Sequence, residues 1–227
     1  MRKDGQKIAE IKRKKQIRTT VIIAVFVCVC IAAAVVAIVL NSGDRNNSNS
    51  ESTGGKFDMA KPSHYADIVI KDYGKITVAL YRDAAPITVD NFISLARSGF
   101  YDGITFHRIM KGFMMQGGDP EGTGRGGSDK EIKGEFKSNG FNNPISHTRG
   151  TISMARAKDP NSASSQFFIV HEDSTFLDGD YAAFGYVTEG IEVVDMVCNT
   201  AKPIDGNGTI ISSEQPVIET ITIRDAS

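Results

Sequence analysis

The sequence predicts a mainly β domain, a barrel or sandwich, carried behind one membrane-spanning helix. Three observations predict it. Short runs of alternating apolar residues recur between glycine-rich turns. Only two stretches have helical apolar spacing. A single run of 20 residues, Val21 to Leu40, carries neither a charge nor a proline.

Residues 1–20 hold eight Lys and Arg against two acidic residues. The uncharged run that follows matches the roughly 20 residues a helix needs to cross a bilayer. It exceeds the apolar stretch of about 7–15 residues typical of a cleaved signal peptide. Cleavage at Ala32–Ala34 would leave a mature chain beginning with six apolar residues. A retained signal anchor is therefore expected. The basic side stays in the cytoplasm by the positive-inside bias, which places everything after Leu40 outside it, in a single-pass arrangement. Residues 41–62 are rich in Asn, Ser and Gly and read as a flexible tether.

The remaining residues, 63–227, suffice for one compact domain. They contain 15 Lys and Arg against 22 Asp and Glu. That acidic balance argues against nucleic acid as a partner, because phosphate recognition needs clustered cations. Cys28 and Cys30 fall in the apolar run and Cys198 stands alone, so no disulfide framework can be drawn.

Within this domain, Ala66–Lys71 and Ile76–Tyr81 alternate about a turn at Gly74 and read as a hairpin. Pro86 opens a helix with Val89, Phe92, Ile93 and Ala96 on one face, and Gly99 stops it. Short strands are expected around 104–109, 112–116, 151–154, 166–170 and 182–187, a second helix over 190–198, and a last strand over 216–224. Periodicity alone does not choose between barrel and sandwich.

The stretch from Phe106 to Asp119 reads F-H-R-x-x-x-G-F-x-x-Q-G-G-D. Ser153 to Ala157, Ser164 to Ile169, and Phe176 to Gly179 with Tyr181 and Phe184-Gly185 follow in order. From about residue 65 onward this pattern resembles the cyclophilin family of peptidyl-prolyl cis-trans isomerases. His147 to Gly150 and Asp159 to Ser164 look most like bacterial members. The resemblance implies a closed eight-stranded antiparallel barrel capped by two helices, with the site in a groove on its outer face. It implies catalytic roles for Arg108, Phe113 and Gln116. Substrate-binding roles fall on Met114, Ala155, Arg156, Phe168, Phe176, Leu177 and Tyr181. Proline-containing segments of unfolded or exported proteins would be the partners of a monomeric folding catalyst. Phe176 stands where the best-known eukaryotic members carry Trp, and Tyr181 where they carry His. Without the indole N–H, only weak cyclosporin binding is implied.

These residue types suit the chemistry. The barrier to rotation about an X–Pro bond is near 20 kcal/mol because the nitrogen shares its lone pair with the carbonyl. Twisting the bond returns that lone pair, and a guanidinium can then donate to it. Such a contact favours the twisted state over the planar one, which is what catalysis requires. No nucleophile, metal or cofactor is needed. His107, beside Arg108, is expected to be a hydrogen-bonded structural residue, since the reaction transfers no proton. Phe167 and Phe184 read as core. Gly122 to Gly127 matches GxGxxG without the strand–helix context of a nucleotide site and reads as a mobile loop beside the groove. A Ser–His–Asp triad could be assembled from many candidates, so residue types alone say nothing. The competing readings are a non-catalytic proline-peptide module or holdase using the same groove, and a structural envelope protein. Only the enzyme requires an arginine at the imide nitrogen.

Overall fold

The computed structural model describes residues 57–226. The expected basic tail, the apolar run 21–40 and residues 41–56 lie outside the described residues. Among the described residues, no helix is long and apolar enough to cross a membrane.

The strands are β1 (His64–Ile70), β2 (Gly74–Leu80), β3 (Thr105–Met110), β4 (Met114–Asp119), β5 (Thr151–Met154), β6 (Phe167–Val170), β7 (Ala183–Glu189) and β8 (Ile218–Asp225). Helix α1 (Pro86–Arg97) follows β2, and α2 (Ile191–Thr200) follows β7. The sequence hairpin forms as β1–β2, with Ala66, Ile68 and Ile70 buried on alternate positions.

Every strand pair is antiparallel, in the order β3-β4-β6-β5-β7-β2-β1-β8. The sheet curls into a half-barrel whose outer edges meet at one bridge, from Thr105 of β3 to Val217 just ahead of β8. Phe106 N–H donates to Pro216 O at 2.9 Å and Ile218 N–H to Ile104 O at 2.8 Å beside it. The fully closed barrel implied by the resemblance is thus met only by this short seam. Beyond Phe106 the free edge of β3 pairs instead with a loop: Ile109 N–H donates to Gly208 O, and Ile210 N–H to His107 O. Pro216 also has no N–H to extend a ladder.

The core fills the curl. Val89, Phe92, Ile93 and Ala96 of α1 cover one end. Phe92 meets Phe167 edge-on at 5.5 Å and Phe184 at 5.2 Å, all three fully buried. Truncating such a side chain to Ala typically costs about 3–5 kcal/mol. Val193, Val194, Val197 and Cys198 of α2 pack elsewhere on the same core. Helix α1 has Pro86 in its first turn and no cap from its own N-cap residue. The buried Glu135 carboxylate supplies the cap, accepting from Ile87 N–H at 3.0 Å and from Thr88 N–H at 2.8 Å. Residues ahead of β1 also touch the domain, for the Phe57 ring lies 5.4 Å from Tyr81, whose hydroxyl donates to Met59 O.

Candidate active site

Strands β3, β4, β6 and β5 set Arg108, Gln116, Phe168 and Ser153 opposite one another in one row. Residues in register across adjacent strands project on the same face. In β3 that face is chosen by a bulge. Phe106 pairs with Gly117 and Arg108 with Gln116, so His107 is an extra residue without an opposite number. Strict alternation would put Phe106 and Arg108 on one side. The bulge lets Phe106 and Ile109 enter the core while Arg108 faces out.

A second apolar cluster covers this outer face, built on Met114, Phe168, Val170 and Leu177 with Met110, Phe113, Ala155 and Tyr181 against it. It frames a pocket of about 120 Å³. Arg108, Phe113, Met114, Gln116, Ala155, Arg156, Phe168, Leu177 and Tyr181 line it, so nine of the ten residues expected from the sequence converge. Phe176 is the exception. It is 71% exposed and stands outside the wall, with its ring 5.6 Å from Phe113.

Arg108 is held from several sides. Its Nη1 donates to Gln116 Oε1 at 3.1 Å, its Nε to Asn207 O at 2.8 Å, and its Nη2 approaches Met110 Sδ at 3.2 Å. Its guanidinium lies 5.9 Å from the Phe113 ring centroid. Burial lowers its pKa, opposed by Tyr181 and Asp205, yet an arginine remains a cation at neutral pH. Asn207 sits in a loop pinned by Asp205, whose carboxylate accepts from Asn207 N–H and Thr209 N–H at 3.0 Å each. A backbone carbonyl leaves no side-chain signal, so nothing in the sequence marks this anchor.

Gln116 donates from Nε2 to Gln166 Oε1 at 2.9 Å, and Gln166 donates on to Gly126 O. This chain forms one border of a larger hollow of about 550 Å³ that shares Gln116, Ala155 and Arg156 with the apolar pocket. Arg156 stands between the two, donating to Asp180 O and lying 4.7 Å over the Tyr181 ring. The glycine-rich loop is beside the groove as expected, but it is tied down. The buried Asp119 carboxylate accepts the N–H groups of Glu121, Thr123, Gly124 and Arg125. Burial raises the Asp119 pKa, and these hydrogen bonds outweigh it and hold the group below the usual carboxylate range.

His107 departs from expectation. It is buried, but neither ring nitrogen has a hydrogen-bond partner among the described residues. The bulge carries its ring under Gly124, where a Cβ would come within 3.2 Å of it. Burial lowers its pKa, Asp119 opposing and Arg108 reinforcing.

One Ser–His–Asp chain does assemble. His147 Nε2 lies 2.9 Å from Ser153 Oγ, and its Nδ1 lies 2.8 Å from Asp178 Oδ1. Ser153 and His147 are both fully buried, so no substrate carbonyl can reach the hydroxyl. The imidazole instead stacks behind Phe168, with centroids 6.0 Å apart and planes 17° from parallel. Phe167 and Phe184 are core, as read from the sequence.

A curled eight-stranded antiparallel sheet with an arginine beside an external apolar slot defines a class of protein. Residues 65–226 match the family model for cyclophilin type peptidyl-prolyl cis-trans isomerases. The chain belongs to this family and is a peptidyl-prolyl cis-trans isomerase. It is 47% identical over 131 residues to peptidyl-prolyl cis-trans isomerase B of Bacillus subtilis, covering 58% of this chain and 88% of that one. It is 38% identical over 162 residues to peptidyl-prolyl cis-trans isomerase B of Escherichia coli, covering 68% and 96%. It is similar to a crystal structure of a Cryptosporidium parvum cyclophilin type isomerase determined in the presence of the dipeptide Ala-Pro. The TM-score is 0.63 at 31% identity, over 71% of this chain and 99% of that one.

Proposed function

We propose that the isomerase works on exported proteins from a membrane tether, with Arg108 stabilising the twisted imide. The proline ring enters the slot between Phe113, Met114, Phe168 and Leu177. Gln116, Ala155 and Arg156 hold the backbone on one side of the bond while the other side turns. As the nitrogen becomes pyramidal it accepts a hydrogen bond from the Arg108 guanidinium that the planar imide barely accepts. The apolar walls exclude water and strengthen the field of the cation.

One observation carries this reading: Arg108 lines the same small pocket as Phe113, Met114 and Phe168. The test is a protease-coupled assay on an X–Pro peptide. Arg108→Ala should lower kcat/KM by about 100-fold or more, which corresponds to about 2.7 kcal/mol of transition-state stabilisation. An unchanged rate in a folded variant would remove Arg108 from the mechanism.

The tether is supported by the eight basic residues that precede the uncharged run 21–40. Uncatalysed prolyl isomerisation takes roughly 10–100 s, slow enough to limit folding of freshly exported chains. In this reading the N-terminus is cytoplasmic and residues 63–227 are extracytoplasmic. Protease added outside intact cells stripped of their wall should degrade this domain. Protection there, with degradation only after lysis, would refute the orientation.

A further inference from the structure

We propose that His171 is a positioning residue for Phe113, linking helix α2 to the mouth of the apolar pocket. His171 directly follows β6 and is 5% exposed. It grips two consecutive residues of the β3–β4 turn. Its backbone N–H donates to Phe113 O at 2.8 Å. Its ring Nδ1 accepts from Gly112 N–H at 3.0 Å. Gly112 has φ +80°, a left-handed conformation that favours glycine. Phe113 directly precedes β4, and its own N–H donates to Met110 O at 3.0 Å, closing the turn whose far side His171 holds.

The Gly112 contact also fixes the tautomer. Nδ1 is the acceptor, so the ring proton is on Nε2. Nε2 faces Asp195 Oδ1 on α2 at 3.3 Å. Asp195 is held in turn by Arg149, which reaches it at 2.7 and 2.8 Å and also donates to His171 O at 2.7 Å. Glu172 is the other charged group near the ring, 4.0 Å from Nδ1. A continuous chain thus runs from Asp195 through the imidazole to the residue whose ring walls the pocket and lies under Arg108.

The inference rests on Phe113 gripping the proline ring. Grip on the ring is shared by the planar and twisted states, so its loss should raise KM more than it lowers kcat. The test uses the full chain with His171→Leu, His171→Asn and Phe113→Ala. Leucine removes the acceptor and leaves the Gly112 N–H without its side-chain partner, and KM should rise about tenfold with kcat within about threefold. Asparagine restores an oxygen near the Nδ1 position and should recover most of the loss. The Gly112 amide resonance should move in the leucine variant and return toward its original place in the asparagine variant. If Phe113→Ala raises KM while both His171 variants keep the parent KM, the positioning role is wrong and the pocket reading stands. Equal losses in the two His171 variants also overturn it. If Phe113→Ala leaves KM unchanged, the pocket reading itself fails. Should the leucine variant not fold, Asp195→Ala, which frees Nε2, should raise KM in the same sense, and an unchanged KM overturns the proposal.

Discussion

Arg108 and Gln116 face each other across the β3–β4 ladder, and the guanidinium donates to Gln116 Oε1 at 3.1 Å. Because Gln116 gives its Nε2 to Gln166 at 2.9 Å, the amide oxygen is committed to the arginine. Gln116→Ala removes one of the contacts that aim the cation and empties part of the pocket wall. We expect kcat/KM to fall about tenfold, the usual scale for one charge-assisted hydrogen bond. Gln166→Ala, one step removed, should cost less. A loss for Gln166→Ala exceeding that for Gln116→Ala would contradict this order.

Phe176 is the most exposed large apolar residue near the pocket, and its ring lies against Phe113. It stands where the resemblance places Trp in the best-known eukaryotic cyclophilins. Phe176→Trp adds an indole N–H at that lip. Inhibition of the isomerase by cyclosporin should then tighten by up to about tenfold, the yield of one added hydrogen bond. No change in the inhibition constant would show that the indole is not what limits binding.

Ser153 supports the wall of the pocket through His147, which stacks behind Phe168. Ser153→Ala leaves the buried His147 Nε2 without its partner. Stability should drop by about 1–3 kcal/mol in chemical denaturation, the usual cost of an unsatisfied buried polar group. A neutral substitution would mean that the imidazole finds another partner.

Two buried imidazoles set the response to acid. Burial lowers the pKa of His107, and burial lowers that of His147 against the pull of Asp178. Both therefore stay neutral in the fold where the unfolded chain would take up protons. Stability should be greatest above the ordinary imidazole range near pH 6.5 and should fall as the pH drops through it. For Asp178, burial raises the pKa, but hydrogen bonds from Ser146 and His147 hold it below the usual carboxylate range. Asp119 is held low in the same sense, so a second loss should begin below about pH 4. Melting temperatures measured from about pH 7.5 to about pH 5.5 should decline, and His107→Asn should flatten the slope. A level profile would mean that neither imidazole resists protonation.

Much of this was legible along the chain. The alternation of Ala66, Ile68 and Ile70 gave the first strand, and Pro86 with Gly99 bounded α1. The pocket residues were legible through the family resemblance carried by the motif from Phe106 to Asp119 and the stretches after it. What the linear pattern does not carry is non-local. Glu135 caps α1 from 47 positions away in sequence, and the Asn207 carbonyl that orients Arg108 comes from a loop 99 positions on. Nothing in a linear pattern marks such pairs. Closure of the barrel was over-read for the same reason, since the 208–210 loop occupies the edge that β8 would have used.

The sequence by itself determined the strand and helix content, the apolar residues of the slot and the presence of a cation beside them. Only the tertiary structure decided that Arg108 points outward. Phe106 and Arg108 have the same parity, so alternation puts them on one face. The pairing with β4 breaks that alternation at His107. Gly117 permits it, because a Cβ there would stand 2.8 Å from Thr105 O and 2.9 Å from the Phe106 ring. The extra residue turns Phe106 into the core and the guanidinium out to the pocket, a choice made by the neighbouring strand.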